Sequence, residues 1–409
     1  MRRTAAAGVA PAAAVLGLFL CFGLVIASFF PFLSVYLAGR GLTPDRIGLL
    51  LAAMALVRIL AMPVLGHIAD TRIGRRRALQ FALFGMAVSA SFASLLDGQT
   101  AVWIGALGVA FAMAAANPNV DAIGLVELGE ERMADYGRIR GWESLSYAAA
   151  CMGFGAILEA FGVTLAFPLY AAASVVMLVW TTLAVRSDRP SGDVDHGRLG
   201  AVGAVFRAAP RFWAFLAATL LVWTGFNGAW NFVGLKIAGA GGGPWLIGFG
   251  AGLGGFVEVG VMRLASRLHK RFGLRKVYAL GCAVYATAFL LWGLVNDPTI
   301  VSVLAMFEGA GFSLLFTTSV LVVAKLVPSS LYSSGNSITA MVGFGLGPIL
   351  GGGIGGFVYQ NLGSFSLFAG SSALAALGAV AALLALKTPE LDSPLEPSAE
   401  PVAPEPGRV

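Results

Sequence analysis

Charged residues are scarce in this sequence. Asp, Glu, Lys and Arg make up 12% of its 409 residues, while 58% are hydrophobic. A soluble domain carries about 25% charged residues, so this composition excludes a chain whose surface faces water. Apolar runs long enough to cross a bilayer recur along the whole length, and they predict a multi-pass membrane protein.

Cysteine and histidine are also rare, with three residues of each. The cysteines lie far apart inside apolar runs, which excludes a disulfide framework. The histidines are scattered without the spacing of a zinc site, and neither a nucleophile elbow nor a phosphate-binding loop is present. We therefore expect no metal, no cofactor and no enzymatic activity.

The net charge of +6 does not indicate nucleic-acid binding, because the Lys and Arg residues lie in short segments between the apolar runs. With the N-terminus inside, nearly all of these segments fall on one side, and the opposite loops hold only Arg40, Arg46 and Lys236. The positive-inside rule then predicts an even number of spans and places both termini in the cytoplasm. The expected location is the cell inner membrane of a bacterium.

Twelve apolar runs are long enough to span a membrane. The first is too long for the core of a signal peptide, so we expect it to be kept as a helix. The runs cover roughly 11–38, 44–66, 78–96, 100–126, 138–160, 164–185, 209–237, 244–266, 277–295, 299–326, 334–359 and 364–386.

The longest polar interruption, 187–208, is predicted to be a cytoplasmic linker between two six-helix bundles, 11–186 and 209–386. Residues 1–10 form a short cytoplasmic N-terminus. The tail 387–409 is rich in Pro and Glu and is predicted to be disordered. The predicted fold is therefore all-α, with twelve transmembrane helices in two pseudo-symmetric bundles.

The two halves repeat one another. Shifted by 200 positions, FLSVYLAGRGLTPDRIG from residue 32 falls on FVGLKIAGAGGGPWLIG from residue 232, and Arg58 falls on Glu258. Two homologous halves that face each other are the plan of many secondary transporters, which bind their substrate near the midplane between the halves.

The stretch GHIADTRIGRRR, residues 66–77, resembles the signature between helices 2 and 3 of the major facilitator superfamily, with one extra residue after Asp70. The resemblance implies that Asp70 caps or pairs with neighbouring helix ends and that the basic residues are its partners. This role suits a carboxylate at a helix N-terminus. The matching positions are Gly66, Asp70, Arg72, Gly74, Arg75 and Arg76.

Within that superfamily, PFLSVYLAGRGLTPDRIGLLLA, DYGRIRGWESLSY and FEGAGFSLLFTTSVLVVAKLVP resemble the branch of the bacterial phenylpropionate permeases, which is related to the lactose and nucleoside proton symporters. The resemblance implies alternating access to a central cavity, a small-molecule substrate, coupling to protons and a monomer in the lipid bilayer. Glu143 and Glu308 depart from the pattern, because the branch usually has Gly at the first position and often His at the second.

Charges inside a membrane are costly, so each is a candidate functional residue. Arg58 lies about 20 Å into the second helix, where it either binds a substrate carboxylate or pairs with a carboxylate of another helix. Glu258 lies at a similar depth and either exchanges a proton or forms a static ion pair with Arg58 or another base. Glu308, near the middle of helix 10, is the leading proton site, with a hydrogen-bonded structural carboxyl as the alternative.

Two acids lie closer to the cytoplasmic side and are assigned to gating. Asp121 on helix 4 is expected to pair with the loop 72–77. Glu143 on helix 5 is expected to form an ion pair with Arg140 or with another helix. Glu159, at the far end of helix 5, is expected to be solvated.

Helix 7 carries Trp223, Asn227 and Asn231 at steps of four residues, with Trp230 beside them. Such a stripe either binds a substrate, through amide hydrogen bonds and indole stacking, or simply packs against other helices.

Together these features favour proton-coupled symport of a small organic solute, with an aromatic or other carboxylate as the expected class. A proton-driven exporter of a hydrophobic compound is the alternative. Helix 5, however, lacks the Gly-Pro-x-x-Gly-Gly element found in many antiporters of the superfamily. A sensor that does not transport is a third hypothesis, which no appended soluble domain supports.

Overall fold

The structure, a computed structural model, describes residues 9–129, 132, 135–186 and 199–392, and all secondary structure in these ranges is helical. Within them, 11 helical spans are long and apolar enough to cross a membrane. The last span, Ser329–Ala385, is broken at Gly363, where φ is +84°. Because the break divides it into two crossing helices, the predicted twelve-helix architecture is confirmed.

The helices are numbered α1 to α12 along the chain. The first six are Pro11–Gly39, Pro44–Ile73, Arg75–Leu95, Gln99–Leu128, Tyr136–Phe161 and Val163–Ala184. The next four are Phe212–Gly239, Pro244–Phe272, Leu274–Leu294 and Pro298–Leu326, and the broken span supplies α11 (329–362) and α12 (364–385).

Several of these helices contain local irregularities. Helix α1 tightens into a 3-10 turn at Phe30–Phe32, α6 begins with one at Val163–Leu165, and α11 begins with one at Ser329–Leu331. Helix α10 consists of two segments, Pro298–Val303 and Ala305–Leu326. Two π-helical turns occur, at Ala69–Ile73 in α2 and at Val342–Leu346 in α11. Turns of this kind are rare and are often found at functional sites.

The internal repeat is visible in the backbone. Gly41 lies in the connection between α1 and α2, and Gly241 lies in the connection between α7 and α8. Their φ angles are +83° and +88°, a conformation that glycine adopts without strain. Pro44 and Pro244 then occupy the first position of α2 and α8, where the missing N–H costs nothing.

The turn after α2 also repeats, although its form differs from the prediction. Helix α2 does not end in a loop near residue 66 but continues to Ile73 through its π-helical turn. Gly74 alone makes the turn with φ of +83°, and Gly273 makes the corresponding turn after α8 with φ of +77°.

The two halves meet where α2 crosses α11 and where α5 crosses α8. Because the number of spans is even, both ends of the described chain lie on one face of the bundle, here called the terminal side. The closest contacts lie toward the opposite side, where a Cβ on Gly48 would overlap the backbone of Gly352 and Gly356. Gly155 and Gly248 form the equivalent contact between α5 and α8. These glycines let the helices approach closely enough to close that side.

A carboxylate reinforces the closed side. Glu159 at the end of α5 accepts a hydrogen bond of 3.0 Å from the Trp245 backbone N–H in the first turn of α8. Glu159 is exposed, as expected of a solvated carboxylate, and it makes this contact in addition, because the free N–H groups of a helix N-terminus attract a carboxylate. The contact joins the two halves.

The terminal side is more open, because a Cβ on Gly66, Gly141 or Gly260 would meet nothing within 4 Å there. On that side the π-helical turn of α2 packs on α3, in the first half. The segment Tyr332–Met341 of α11 packs on α10 and on the linker. The terminal ends of α2 and α11 are therefore each held mainly by their own half. Large apolar side chains are exposed around the perimeter, among them Phe81, Leu183 and Leu384. This apolar belt is expected of a protein surrounded by lipid.

Part of the predicted linker is helical, and the first residues of the predicted tail are packed on the bundle. Residues 187–198 and 393–409 lie outside the described residues, but Leu199–Ala208 is a helix against the start of α11, and its Val205 is fully buried. The tail does not become disordered at residue 387, because Leu391 is buried and Asp392 pairs with Arg275. These contacts outweigh the polar composition of the segment.

Candidate functional site

Arg58 and Glu258 lie at equivalent depth, 14 residues into α2 and α8, which is about 21 Å from the opposite side. Both are partly exposed, as are their neighbours on each helix. Among the described residues, neither side chain forms an ion pair with the other or with any third group. The described structure therefore contains no static ion pair between Arg58 and Glu258.

Arg58 is partly exposed, but one nitrogen of its guanidinium is buried and has no partner in the described structure. Its Nε atom is buried without a hydrogen-bond acceptor among the described residues. The hydroxyl of Tyr170 on α6 interacts electrostatically with Arg58 and is likewise buried without a partner there. Buried polar groups are usually satisfied, so these two unsatisfied atoms are candidate contacts for a ligand.

Glu308 is 4% exposed and lies in the first turn of the longer segment of α10. A Cβ on Gly254 of α8 would lie 3.3 Å from its Oε2 atom, and Tyr285 of α9 packs on Gly311 one turn further along. Its carboxylate forms no ion pair or hydrogen bond with the described residues. It lies within electrostatic range of Glu258, so two unpaired acids face the same region.

Two tyrosines accompany these acids. Tyr147 on α5 packs against Gly255 of α8, so a phenol of the first half reaches the acids of the second half. Both Tyr147 and Tyr285 interact electrostatically with Glu258 and Glu308. Tyr285, fully buried beside the acids, was not identified from the sequence, where an aromatic residue in an apolar run gives no signal of its neighbours.

Arg140 on α5 is the centre of a charged cluster. Its Nε atom lies 3.3 Å from an oxygen of Asp121, and its Nη1 atom lies 2.9 Å from an oxygen of Glu143. Tyr136 donates a hydrogen bond of 3.0 Å to the same Asp121 oxygen. Arg140 also lies within electrostatic range of Glu258. The structure therefore contains the expected Arg140–Glu143 pair.

The prediction that Asp121 pairs with residues 72–77 is wrong. Asp121 and Arg140 lie at the same level on adjacent helices, whereas the basic residues of the signature contact other groups. Arg75 pairs with Asp70 at 2.9 Å, and Arg76 donates a 2.6 Å hydrogen bond to the carbonyl of Thr182 at the end of α6. Arg72 is exposed, and a Cβ on Gly66 would meet nothing within 4 Å.

The stripe on α7 divides between two environments. Trp223 is 3% exposed and accepts a hydrogen bond from Asn227 at its backbone carbonyl, at 2.8 Å. Asn231 is partly exposed. Trp230 lines a small cavity near the closed side with Pro31 and Ser302. Trp223 lines a larger one, of about 560 Å³ including its mouth, between α7, α10 and α11.

Comparisons with known proteins agree with this architecture. Residues 15–369 match the MFS_1 like family. The chain is 27% identical over 366 residues to a maltose permease of Geobacillus stearothermophilus, a match that covers 86% of this chain and 88% of the permease. It is 26% identical over 283 residues to the Escherichia coli (strain K12) protein named "Probable 3-phenylpropionic acid transporter", covering 66% and 70% of the two chains.

Solved structures share the fold. A nucleoside transporter superimposes with a TM-score of 0.82 at 16% identity, covering 92% of this chain and 100% of that one. A POT family transporter superimposes with a TM-score of 0.74 at 14% identity, covering 91% and 95%. The predicted resemblance is thus confirmed, and the chain belongs to the MFS_1-like family of major facilitator transporters.

Proposed function

We propose that the protein is a proton-coupled symporter that takes up a small organic anion by alternating access. It would act as a monomer in the cell inner membrane with both termini in the cytoplasm, so the terminal side is the cytoplasmic side. The open terminal side then corresponds to the state that releases solute into the cell.

The observation that carries the proposal is the unpaired guanidinium of Arg58. Its Nε atom is buried without an acceptor among the described residues, although a buried polar group normally has a hydrogen-bond partner. A carboxylate would satisfy it through two parallel hydrogen bonds, the geometry for which arginine is suited. Tyr170 offers a second donor nearby.

Glu308 and Glu258 support the coupling to protons. Both lack an ion pair in the described structure, and each lies within electrostatic range of the other. Two negative charges close together in a low-dielectric site repel each other, and binding a proton removes that repulsion. A proton on Glu308 would therefore be exchanged when access to the site changes.

A second candidate solute is an uncharged sugar. It is favoured by the 27% identity to a maltose permease and by the cluster of Asp121, Arg140 and Glu143, which offers several donors and acceptors to hydroxyl groups. In that case Arg140 rather than Arg58 would bind the solute.

A thermal-shift screen distinguishes these candidates. The purified protein is tested with 3-phenylpropionate, maltose and uridine, and each stabilising compound is repeated with Arg58→Ala and Arg140→Ala. We expect 3-phenylpropionate to stabilise the wild type and the Arg140→Ala variant but not Arg58→Ala. Stabilisation by maltose that depends on Arg140 and not on Arg58 would replace the anion by the sugar.

Transport is tested in proteoliposomes with an imposed pH gradient. Uptake of the stabilising compound should increase when the outside is acidic and should lose this dependence in Glu308→Gln. Partly exposed Glu127, whose carboxylate accepts a hydrogen bond from the backbone N–H of Arg186, supplies the control Glu127→Gln, which should keep the pH dependence. Uptake by the wild type that is indifferent to the gradient would exclude proton coupling.

A further inference from the structure

The cavity between α7, α10 and α11 has the lining of a binding site. It opens within the second half, on the terminal side, and without its mouth its volume is about 180 Å³. That is enough for one aromatic ring, since an apolar cavity of about 150 Å³ binds benzene. Its apolar wall consists of three aromatic rings, Trp223, Phe316 and Phe344. Its polar groups are supplied by Ser319, Asn336 and Thr339.

The aromatic wall combines a fixed ring with two accessible ones. Trp223 is almost fully buried, and its ring centroid lies 4.6 Å from that of Phe344. Phe316 and Phe344 are 41% and 43% exposed, and they stand 6.4 Å apart at an angle of 62°. Rings with free faces beside a rigid indole can stack on a planar ligand at little entropic cost.

Asn336 is the polar group that is available to a ligand. Ser319 and Thr339 each donate to a backbone carbonyl of their own helix, Leu315 and Gly335. The Asn336 side chain forms no hydrogen bond with any described residue, although it is partly buried about 10 Å into α11. An amide with two donors and one acceptor facing an aromatic cavity suits a polar substituent on a ring.

The π-helical turn of α11 shapes the cavity. Gly343 and Phe344 belong to the turn Val342–Leu346, and a Cβ on Gly343 would lie 3.2 Å from the indole of Trp223. The glycine therefore allows Phe344 and Trp223 to approach. Gly345, two residues after Gly343, contacts the side chain of Ile59, the neighbour of Arg58 on α2. The cavity thus begins beside the segment that carries Arg58.

We propose that this cavity binds the ring end of the transported solute, an uncharged aromatic ring with a hydrogen-bonding substituent. The lining contains no charged side chain, so it selects a neutral group. This inference rests on the proposed function in one respect, because the carboxylate of the same solute would bind to Arg58. The binding of a neutral ring, however, can be measured without transport and without Arg58.

The probe is 4-hydroxybenzamide, a neutral, water-soluble ring with polar groups, titrated calorimetrically into the protein in lipid nanodiscs. Cyclohexanecarboxamide, which keeps the amide but has no aromatic face, is the matched compound. We expect saturable binding of the aromatic probe that is about tenfold weaker in Asn336→Leu and in Phe344→Ala. The non-aromatic compound should bind weakly to every variant.

The control substitution is Asn361→Leu, on the same helix near the opposite side, where the amide donates to the Phe357 carbonyl and is exposed. It should leave binding unchanged, and so should Arg58→Ala. Equal binding to the wild type, Asn336→Leu and Phe344→Ala, or no saturable binding, would overturn the proposal. If the ring binds but no carboxylate does, the ring site stands and the anion proposal fails.

Discussion

The two halves of the molecule share a backbone plan but differ in how their membrane charges are arranged. In the first half, Asp121, Arg140 and Glu143 pair with one another, and Arg58 is left as an unpaired cation. In the second half, the acids Glu258 and Glu308 are unpaired among the described residues. This difference supports the proposal that the first half binds an anion and the second half exchanges protons.

The largest effect is expected from changing the sign of one member of the repeated pair. Arg58→Glu should weaken binding of 3-phenylpropionate about a hundredfold, because a charged donor is replaced by a like charge. The double variant Arg58→Glu with Glu258→Arg should not restore binding, since the two side chains do not pair in the structure. The affinity is measured by equilibrium binding to purified protein.

Arg46→Glu, at the exposed start of the same helix, is the control and should bind as the wild type does. Recovery of binding in the double variant would instead show that Arg58 and Glu258 act as one ion pair. The two halves would then be coupled directly rather than divided between anion and proton.

A smaller effect is expected at the glycine contacts that hold the halves together on the closed side. A side chain on Gly248 would overlap the backbone of Cys151 on α5, so Gly248→Leu should keep this side from closing. Maleimide labelling of Cys151, located by mass spectrometry, should then become about tenfold faster, because the thiol is fully buried when the side is closed. Unchanged labelling would show that the glycine contact does not close this side of the transporter.

Gly260 provides the comparison on the same helix. A Cβ there would meet nothing within 4 Å, so Gly260→Leu should leave labelling of Cys151 unchanged. The pair of variants separates the effect of the contact from the effect of adding a leucine to α8.

The smallest effect is expected from the carboxylate that caps α8. Glu159→Gln keeps an acceptor for the Trp245 N–H but removes the charge at the helix N-terminus, an interaction of about 0.3–1 kcal/mol at an exposed site. The closed state should lose stability by that amount, and labelling of Cys151 should become two- to fivefold faster. No change in 10 mM salt, where screening is weakest, would exclude a role for the charge.

Features set by local chemistry could be predicted from the sequence. The spans follow from hydrophobicity, and the Gly and Pro residues that repeat at a spacing of 200 predict the equivalent turns before α2 and α8. The equal depth of Arg58 and Glu258 follows from the same repeat.

Features that depend on how helices pack could not be predicted. Asp121 and Arg140 are distant along the chain, and only the packing of α4 on α5 brings them together. The aromatic cavity combines three helices and depends on a π-helical turn at 342–346, within a segment whose sequence predicts an ordinary span. Similarly, Asp392 pairs with Arg275 only because its backbone packs against Gly273, in the turn between α8 and α9.

The central claim, that the second half carries the proton while the first holds the anion, is tested most directly by following protons and solute together. Proteoliposomes in weak buffer receive external 3-phenylpropionate without an imposed gradient, and protein-free liposomes are subtracted to remove diffusion of the free acid. External pH should rise as solute enters through the wild type. In Glu308→Gln this rise should be lost while exchange of labelled for unlabelled solute continues. Solute entry that moves protons equally well through Glu308→Gln would show that Glu308 does not carry the coupled proton.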